Sequence, residues 1–176
     1  KIPFELSLNR SQYINKKQKV NDQLIADSGY GQGQILMNPV QLASIYSSFI
    51  NNGSIYRPHI VKKGEQMWIQ RVFSDQTVKT IKEDLINVIA DENGTGHSIY
   101  HENIQLAGKT GTAEIKQSQS DTTGSELGWF TVMTTDSKRP ILMTTVVEDV
   151  KGRGGSGYVV EHTKTPLDSY LSKANN

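Results

Sequence analysis

The chain has 176 residues, of which 35% are hydrophobic, and its 19 Lys and Arg against 18 Asp and Glu leave a net charge of +1. That balance excludes a strong global field for nucleic acid or for a membrane surface. Cysteine is absent, which excludes disulfides, thiolate catalysis and Cys-ligated zinc while leaving the compartment open. The length suits one domain with a single core. There is no run of 18 apolar residues and no charged-then-apolar leader pattern at the N-terminus. The chain starts Lys1-Ile2-Pro3 rather than with Met, and reads as if cut from a longer one.

In chain order, residues 1–28 are mixed and polar, with Lys16, Lys17 and Lys19 close together, and read as a solvated surface segment. Gly29-Tyr30-Gly31-Gln32-Gly33 is a tight glycine-rich turn. A helix then begins, with Asn38 as N-cap, Pro39 at its first position and Leu42, Ile45, Tyr46 and Phe49 at helical spacing. Gly53 supplies its left-handed stop. Residues 54–63 read as a short strand interrupted by Pro58, hence an edge or irregular one, with 67–73 as its partner and Lys63-Gly64-Glu65 as the turn. Ser74 caps a second helix with Asp75 at its positive end, an apolar stripe of Val78, Ile81, Leu85, Val88 and Ile89, and a stop at Asn93-Gly94. Residues 104–115 form a strand broken up by small side chains, and 117–125 a polar loop. Residues 128–135 and 141–150 are β-branched strands joined as a hairpin through Asp136-Ser137-Lys138-Arg139-Pro140. A last helix starts near Ser156, and Pro166 is expected to kink or break it.

The sharpest string is Gly108-Lys109-Thr110-Gly111-Thr112-Ala113-Glu114. The small residues Gly108, Gly111 and Ala113 let a ligand backbone approach and pair with the strand. Lys109 and Thr110 bring a cation and a hydroxyl, the pair needed to hold a carboxylate. K-T-G is one of three motifs of penicillin-binding proteins and class A β-lactamases, beside S-x-x-K and S-D-N. Taken alone, a glycine-flanked strand with an exposed Lys reads equally well.

Context decides between them. Ser28-Gly29-Tyr30-Gly31-Gln32-Gly33, then Asn38-Pro39-Val40-Gln41-Leu42-Ala43, then Asn51-Asn52-Gly53 with Tyr56-Arg57-Pro58-His59, and finally 108–114 with Gly128-Trp129-Phe130 stand in the order found in one family. The sequence resembles, nearly end to end, the transpeptidase domain of class B penicillin-binding proteins. Ala113-Glu114-Ile115-Lys116 and Gly128-Trp129-Phe130 look most like its low-affinity, Gram-positive group. The resemblance implies an α/β (α+β) fold: a central antiparallel sheet with helices on both faces. Residues 1–176 would supply the C-terminal part of that single domain: its last three strands, its closing helix and part of its helical lobe. Alone, such a segment would expose a strand edge and an apolar sheet face that the missing N-terminal half, or a companion chain, covers.

The implied chemistry is acyl transfer from D-Ala-D-Ala stem peptides of peptidoglycan through an acyl-serine, blocked by β-lactams, without cofactor or metal. Lys109 would attract the substrate carboxylate, and Thr110 and Thr112 would offer it hydroxyls. Gly111 would keep the strand open, and the Thr112 N–H would be one oxyanion donor. Glu114 would play a supporting part. The implied location is the outer face of the bacterial cytoplasmic membrane, held by an N-terminal anchor absent from this chain. Two other readings stand beside this one: a non-catalytic β-lactam-sensing or interaction fragment, and a class D-like β-lactamase. The block 38–59 favours the transpeptidase over both.

The departures matter as much. No Lys has a Ser three residues before it, so S-x-x-K is absent and the nucleophile is expected outside this chain. The one S-x-N, Ser7-Leu8-Asn9, lies only 22 residues before Gly29, too few for the intervening helix the family has. Gly152-Arg153-Gly154-Gly155-Ser156-Gly157 matches G-x-G-x-x-G. With 19 residues after Gly157 no second parallel strand can follow, so it reads as a loop into the final helix. His97 and His101 are four apart, as on one helix face, but no third metal ligand is signalled. Ser28 lacks the G-x-S-x-G context of a nucleophile elbow because position 26 is Ala26.

Overall fold

The structure is a computed structural model that describes residues 3–15, 19–61, 64–115, 123–136 and 138–173. The sequence readings made on Lys16, Lys17, Lys63, Lys116, Ser137 and most of the 117–125 loop fall outside those residues. The elements run α1 (Asp22–Gly29), α2 (Pro39–Ser47), β1 (Ile55–Tyr56), β2 (Met67–Ile69), α3 (Asp75–Ala90), β3 (Leu106–Ile115), β4 (Ser125–Thr134), β5 (Leu142–Val147) and α4 (Ser156–Lys173).

The helix starts follow from local chemistry. The Asn38 side chain accepts from the Val40 N–H and Pro39 takes the first helical position, where its missing donor costs nothing. Ser74 accepts from the Thr77 N–H and Asp75 lies in the positive first turn. The α3 stripe buries Val78, Leu85 and Ile89, and the helix ends at Ala90, earlier than Asn93-Gly94 suggests. Residues 1–28 are not all irregular. Asn21 caps α1 by accepting from the Leu24 N–H, yet Leu24 is the one residue that α1 buries, so no apolar stripe announces it.

β1 and β2 pair antiparallel and are shorter than the sequence suggests; β1 ends before Pro58, which has no N–H for a ladder. The main sheet is antiparallel in the order β3-β4-β5. β3 and β4 pair from Leu106 opposite Thr134 to Ile115 opposite Ser125, so β4 begins three residues before Gly128. Alternation then sorts side chains to two faces. Leu106, Phe130 and Val132 meet Val159, Val160, Leu167 and Leu171 of α4, together with Ile89 and Ile99. Ala107 and Met133 meet Phe49, just beyond α2, and Leu85 of α3. Helices therefore pack on both faces, as the resemblance implies for the whole domain; Ala107, Phe130, Val132 and Met133 are buried, so these sheet residues do not form the exposed apolar face expected of this segment alone. Gly128 lets α4 approach: a Cβ there would collide with Val159 and press on Val150.

The expectation at Pro166 needs correction. α4 runs unbroken through it from Ser156 to Lys173. Thr163 on one side and Leu167 and Leu171 on the other are buried in one stripe, so packing outweighs the hydrogen bond that the proline removes.

Candidate active site

Small residues make β3 narrow, and its register decides what it presents. The Thr135 N–H donates to the Gln105 carbonyl at 3.1 Å, next in line after the Leu106–Thr134 pair. In an antiparallel ladder each residue sends its N–H and C=O to the same side, and successive residues alternate. Odd-numbered positions of β3 therefore bond to β4. Thr110 and Thr112 turn their N–H and C=O groups to the other edge, where no strand lies among the described residues.

The side chains of Lys109 and Gln32 reach that edge. The Lys109 ammonium, on an exposed residue, donates to the Thr110 carbonyl at 2.7 Å. The Gln32 amide, 80 residues away in sequence, donates through Nε2 to the Thr112 carbonyl at 3.1 Å. Gln32 sits between Gly31 (φ 81°) and Gly33 (φ 76°), both in the left-handed region that favours glycine. Asp27 pins this turn. Its carbonyl accepts the Gln32 N–H at 3.0 Å, and its carboxylate accepts the Tyr30 hydroxyl at 2.9 Å. That carboxylate contact holds the Tyr30 phenol above its ordinary pKa.

The two threonines differ in their surroundings. Thr110 is buried, and its hydroxyl meets that of Thr95 at 2.7 Å. Thr112 is exposed, and its hydroxyl accepts the N–H of Ser156, the first residue of α4, at 3.1 Å. With its acceptor side engaged, that hydroxyl keeps its proton for donation to a ligand. The positive end of the α4 dipole lies beside it. The glycine loop before α4 passes close: a Cβ on Gly155 would stand 3.1 Å from the Thr112 hydroxyl. Gly111 leaves ordinary space, since an added Cβ would meet Trp129 at 3.7 Å. Trp129 is half-buried and Phe130 fully buried. Glu114 is exposed near the end of β3.

Lys109, Thr110, Gly111 and Thr112 thus stand on one strand, with Lys109 and Thr112 toward solvent and Thr110 turned inward. Sequence reasoning missed Gln32, Thr95 and Ser156 as their neighbours; the flanking glycines at 31 and 33 were the available signal for Gln32. Ser28 lies inside α1, where its hydroxyl donates to the Ile25 carbonyl at 2.7 Å, so it occupies no nucleophile elbow. His97 contacts the Ile89 carbonyl at 3.0 Å and His101 contacts Asp168 at 2.9 Å. Among the described residues no group of three potential metal ligands forms. Gly152, Gly154 and Gly155 all have positive φ and form the loop into α4.

The edge of β3 can pair with an extended ligand, hold an anion near Lys109, and offer the Thr112 N–H to a developing negative charge. Known proteins share the chain's sequence and fold. Residues 1–165 match the family model for the penicillin binding protein transpeptidase domain. Penicillin-binding protein 3 of Bacillus subtilis is 38% identical over 171 residues, which is 96% of this chain and 25% of that protein. A peptidoglycan D,D-transpeptidase, MrdA, of Haemophilus influenzae is 25% identical over 166 residues, 82% of this chain and 25% of its own length. This chain thus spans about a quarter of the curated relatives it matches. Penicillin-binding protein 2B from Streptococcus pneumoniae shares the fold with a TM-score of 0.72 at 18% identity, over 97% of this chain and 30% of that one. The transpeptidase domain of penicillin-binding protein 3 from Burkholderia pseudomallei does so at 0.65 and 21%, over 88% and 46%. The chain belongs to the penicillin-binding protein transpeptidase domain family.

Proposed function

We propose that the protein carrying this chain is a serine-type peptidoglycan D,D-transpeptidase, and that residues 1–176 form the C-terminal part of its catalytic domain. The observation that carries this reading is the open edge of β3, with the Thr112 N–H facing outward beside Lys109. In the reaction a serine oxygen attacks the penultimate D-Ala carbonyl of a stem peptide. The peptide C–N bond breaks, terminal D-Ala leaves with a proton, and an acyl-serine remains. An amine of a neighbouring strand then takes the acyl group and the serine is regenerated. A β-lactam follows the first half, but its ring nitrogen stays attached and the acyl-enzyme persists.

Within this chain, Lys109 attracts the carboxylate of the terminal D-Ala. The Thr112 hydroxyl donates to the same carboxylate, and Thr110 supports the strand from its buried side. The Thr112 N–H is one donor to the tetrahedral oxyanion, which strengthens as charge develops there. Gly111 keeps a side chain out of the ligand's path. The nucleophile comes from a segment outside residues 1–176, because no S-x-x-K occurs here. The substrate is cell-wall material, so this reading sets the protein on the outer face of the cytoplasmic membrane, anchored by a segment beyond this chain.

The test is covalent labelling with a fluorescent penicillin. The whole protein is expected to form a stable adduct, while residues 1–176 purified alone form none. An adduct on a serine of the isolated chain would mean that the nucleophile has been misassigned. No adduct on the whole protein would overturn the transpeptidase reading.

A further inference from the structure

We propose that Gln32 is a competing donor that occupies the substrate's place on the β3 edge, and so sets the protein's preference among ligands. The inference rests on the reading of β3 as the substrate-binding edge. The outward carbonyls of Thr110 and Thr112 are capped by side-chain nitrogens, the first by Lys109 and the second by Gln32. A ligand that adds itself to a strand edge bonds through these same groups, giving an N–H to each carbonyl it meets. Capping protects an otherwise open edge from pairing with other chains. It also means that a ligand N–H aimed at the Thr112 carbonyl must displace the Gln32 amide.

The two caps respond differently. Lys109 carries its charge on a flexible four-carbon stem and can swing to an arriving carboxylate, so its capping bond is exchanged for a stronger one. Gln32 has no such exchange. Its backbone is held by two left-handed glycines and by the Asp27 carbonyl, so release requires its side chain to turn out to solvent. The net loss is that of one neutral hydrogen bond, about a 2- to 10-fold factor in affinity. A ligand without an N–H at that position leaves the Gln32–Thr112 bond in place and bears no such penalty.

The experiment measures acylation of the whole protein by two β-lactams. One is a penicillin, whose ring carries an acylamino N–H. The other is a carbapenem, which has a hydroxyethyl group there instead. Gln32→Met keeps the length and removes the donor; Gln32→Ala also removes the bulk. The quantity read is the ratio of the two second-order rate constants, which cancels any loss of folded protein. Both variants are expected to raise the penicillin-to-carbapenem ratio by about 2- to 10-fold. An unchanged or lowered ratio, with both ligands still reacting, would overturn the role of Gln32 alone. If neither β-lactam acylates the unaltered protein, the transpeptidase reading itself falls.

Discussion

The hydroxyl of Thr110 meets that of Thr95 at 2.7 Å, behind the strand that carries the K-T-G motif. Thr110 is 7% exposed and Thr95 is exposed, so the bond satisfies a buried hydroxyl from the solvent side and fixes the strand to the loop before the 3₁₀ turn at His97–Ile99. Thr95→Val removes the partner of the buried Thr110 hydroxyl and is expected to cost about 1–3 kcal/mol in denaturant unfolding, whereas Thr110→Val leaves the exposed Thr95 hydroxyl to water and is expected to cost less. The double variant is expected to recover part of that loss, because neither polar group is then left unmatched. A double variant as unstable as the sum of the singles would show that the two hydroxyls do not act as a pair.

The same geometry separates the two threonines in function. Thr112 presents an exposed hydroxyl whose acceptor side is already engaged by the Ser156 N–H. Acylation by a fluorescent penicillin is therefore expected to slow more for Thr112→Val than for Thr110→Val. Equal or reversed effects would assign the carboxylate contact to Thr110 instead.

Gly111 and Gly128 face each other's strands at adjacent rungs, yet they are glycine for different reasons. At Gly111 a Cβ meets only Trp129, at an ordinary 3.7 Å, whereas at Gly128 it runs into Val159 and Val150. Gly111→Ala is expected to be neutral or to stabilise by about 0.5–1 kcal/mol, while Gly128→Ala is expected to destabilise by about 1–3 kcal/mol. Calorimetry on both variants checks this. A marked loss at Gly111 would mean that its small size serves folding rather than ligand approach.

Pro166 lies exposed in the interior of α4. Replacing it with Ala restores the N–H that the helix lacks there and removes the ring clash. Pro166→Ala is expected to raise stability by about 1–3 kcal/mol, partly offset by a freer unfolded chain. A lowered melting temperature would show that α4 depends on the proline.

Much of this was legible in the sequence where a local rule sufficed. Asn38-Pro39 and Ser74-Asp75 announced α2 and α3 because caps act within three residues of themselves. Strands β4 and β5 were legible from their β-branched runs, β3 from a strand pattern broken up by small side chains, and the family from motifs in order. The helix α1 was missed because one buried side chain, Leu24, makes no periodic stripe; Asn21 followed by Asp22 was the cap signal that remained. Pro166 misled because propensity is local while the stripe from Val159 to Leu171 is tertiary. The contact of Gln32 with Thr112 spans 80 residues, and no spacing rule reaches that far. The inward turn of Thr110 was readable in principle, since strand alternation puts it opposite Lys109, but only the register says which side is buried.

The most direct measurement is the acylation rate of the whole protein with Lys109 changed. If Lys109 attracts the ligand carboxylate, Lys109→Ala is expected to slow acylation by about 30- to 1000-fold, equivalent to about 2–4 kcal/mol, while Lys109→Arg restores part of the rate. Because Lys109 is exposed, the melting temperature is expected to stay nearly unchanged. Acylation of Lys109→Ala within threefold of the unaltered protein would remove Lys109 from the site and contradict the account of β3 as the edge on which substrate binds.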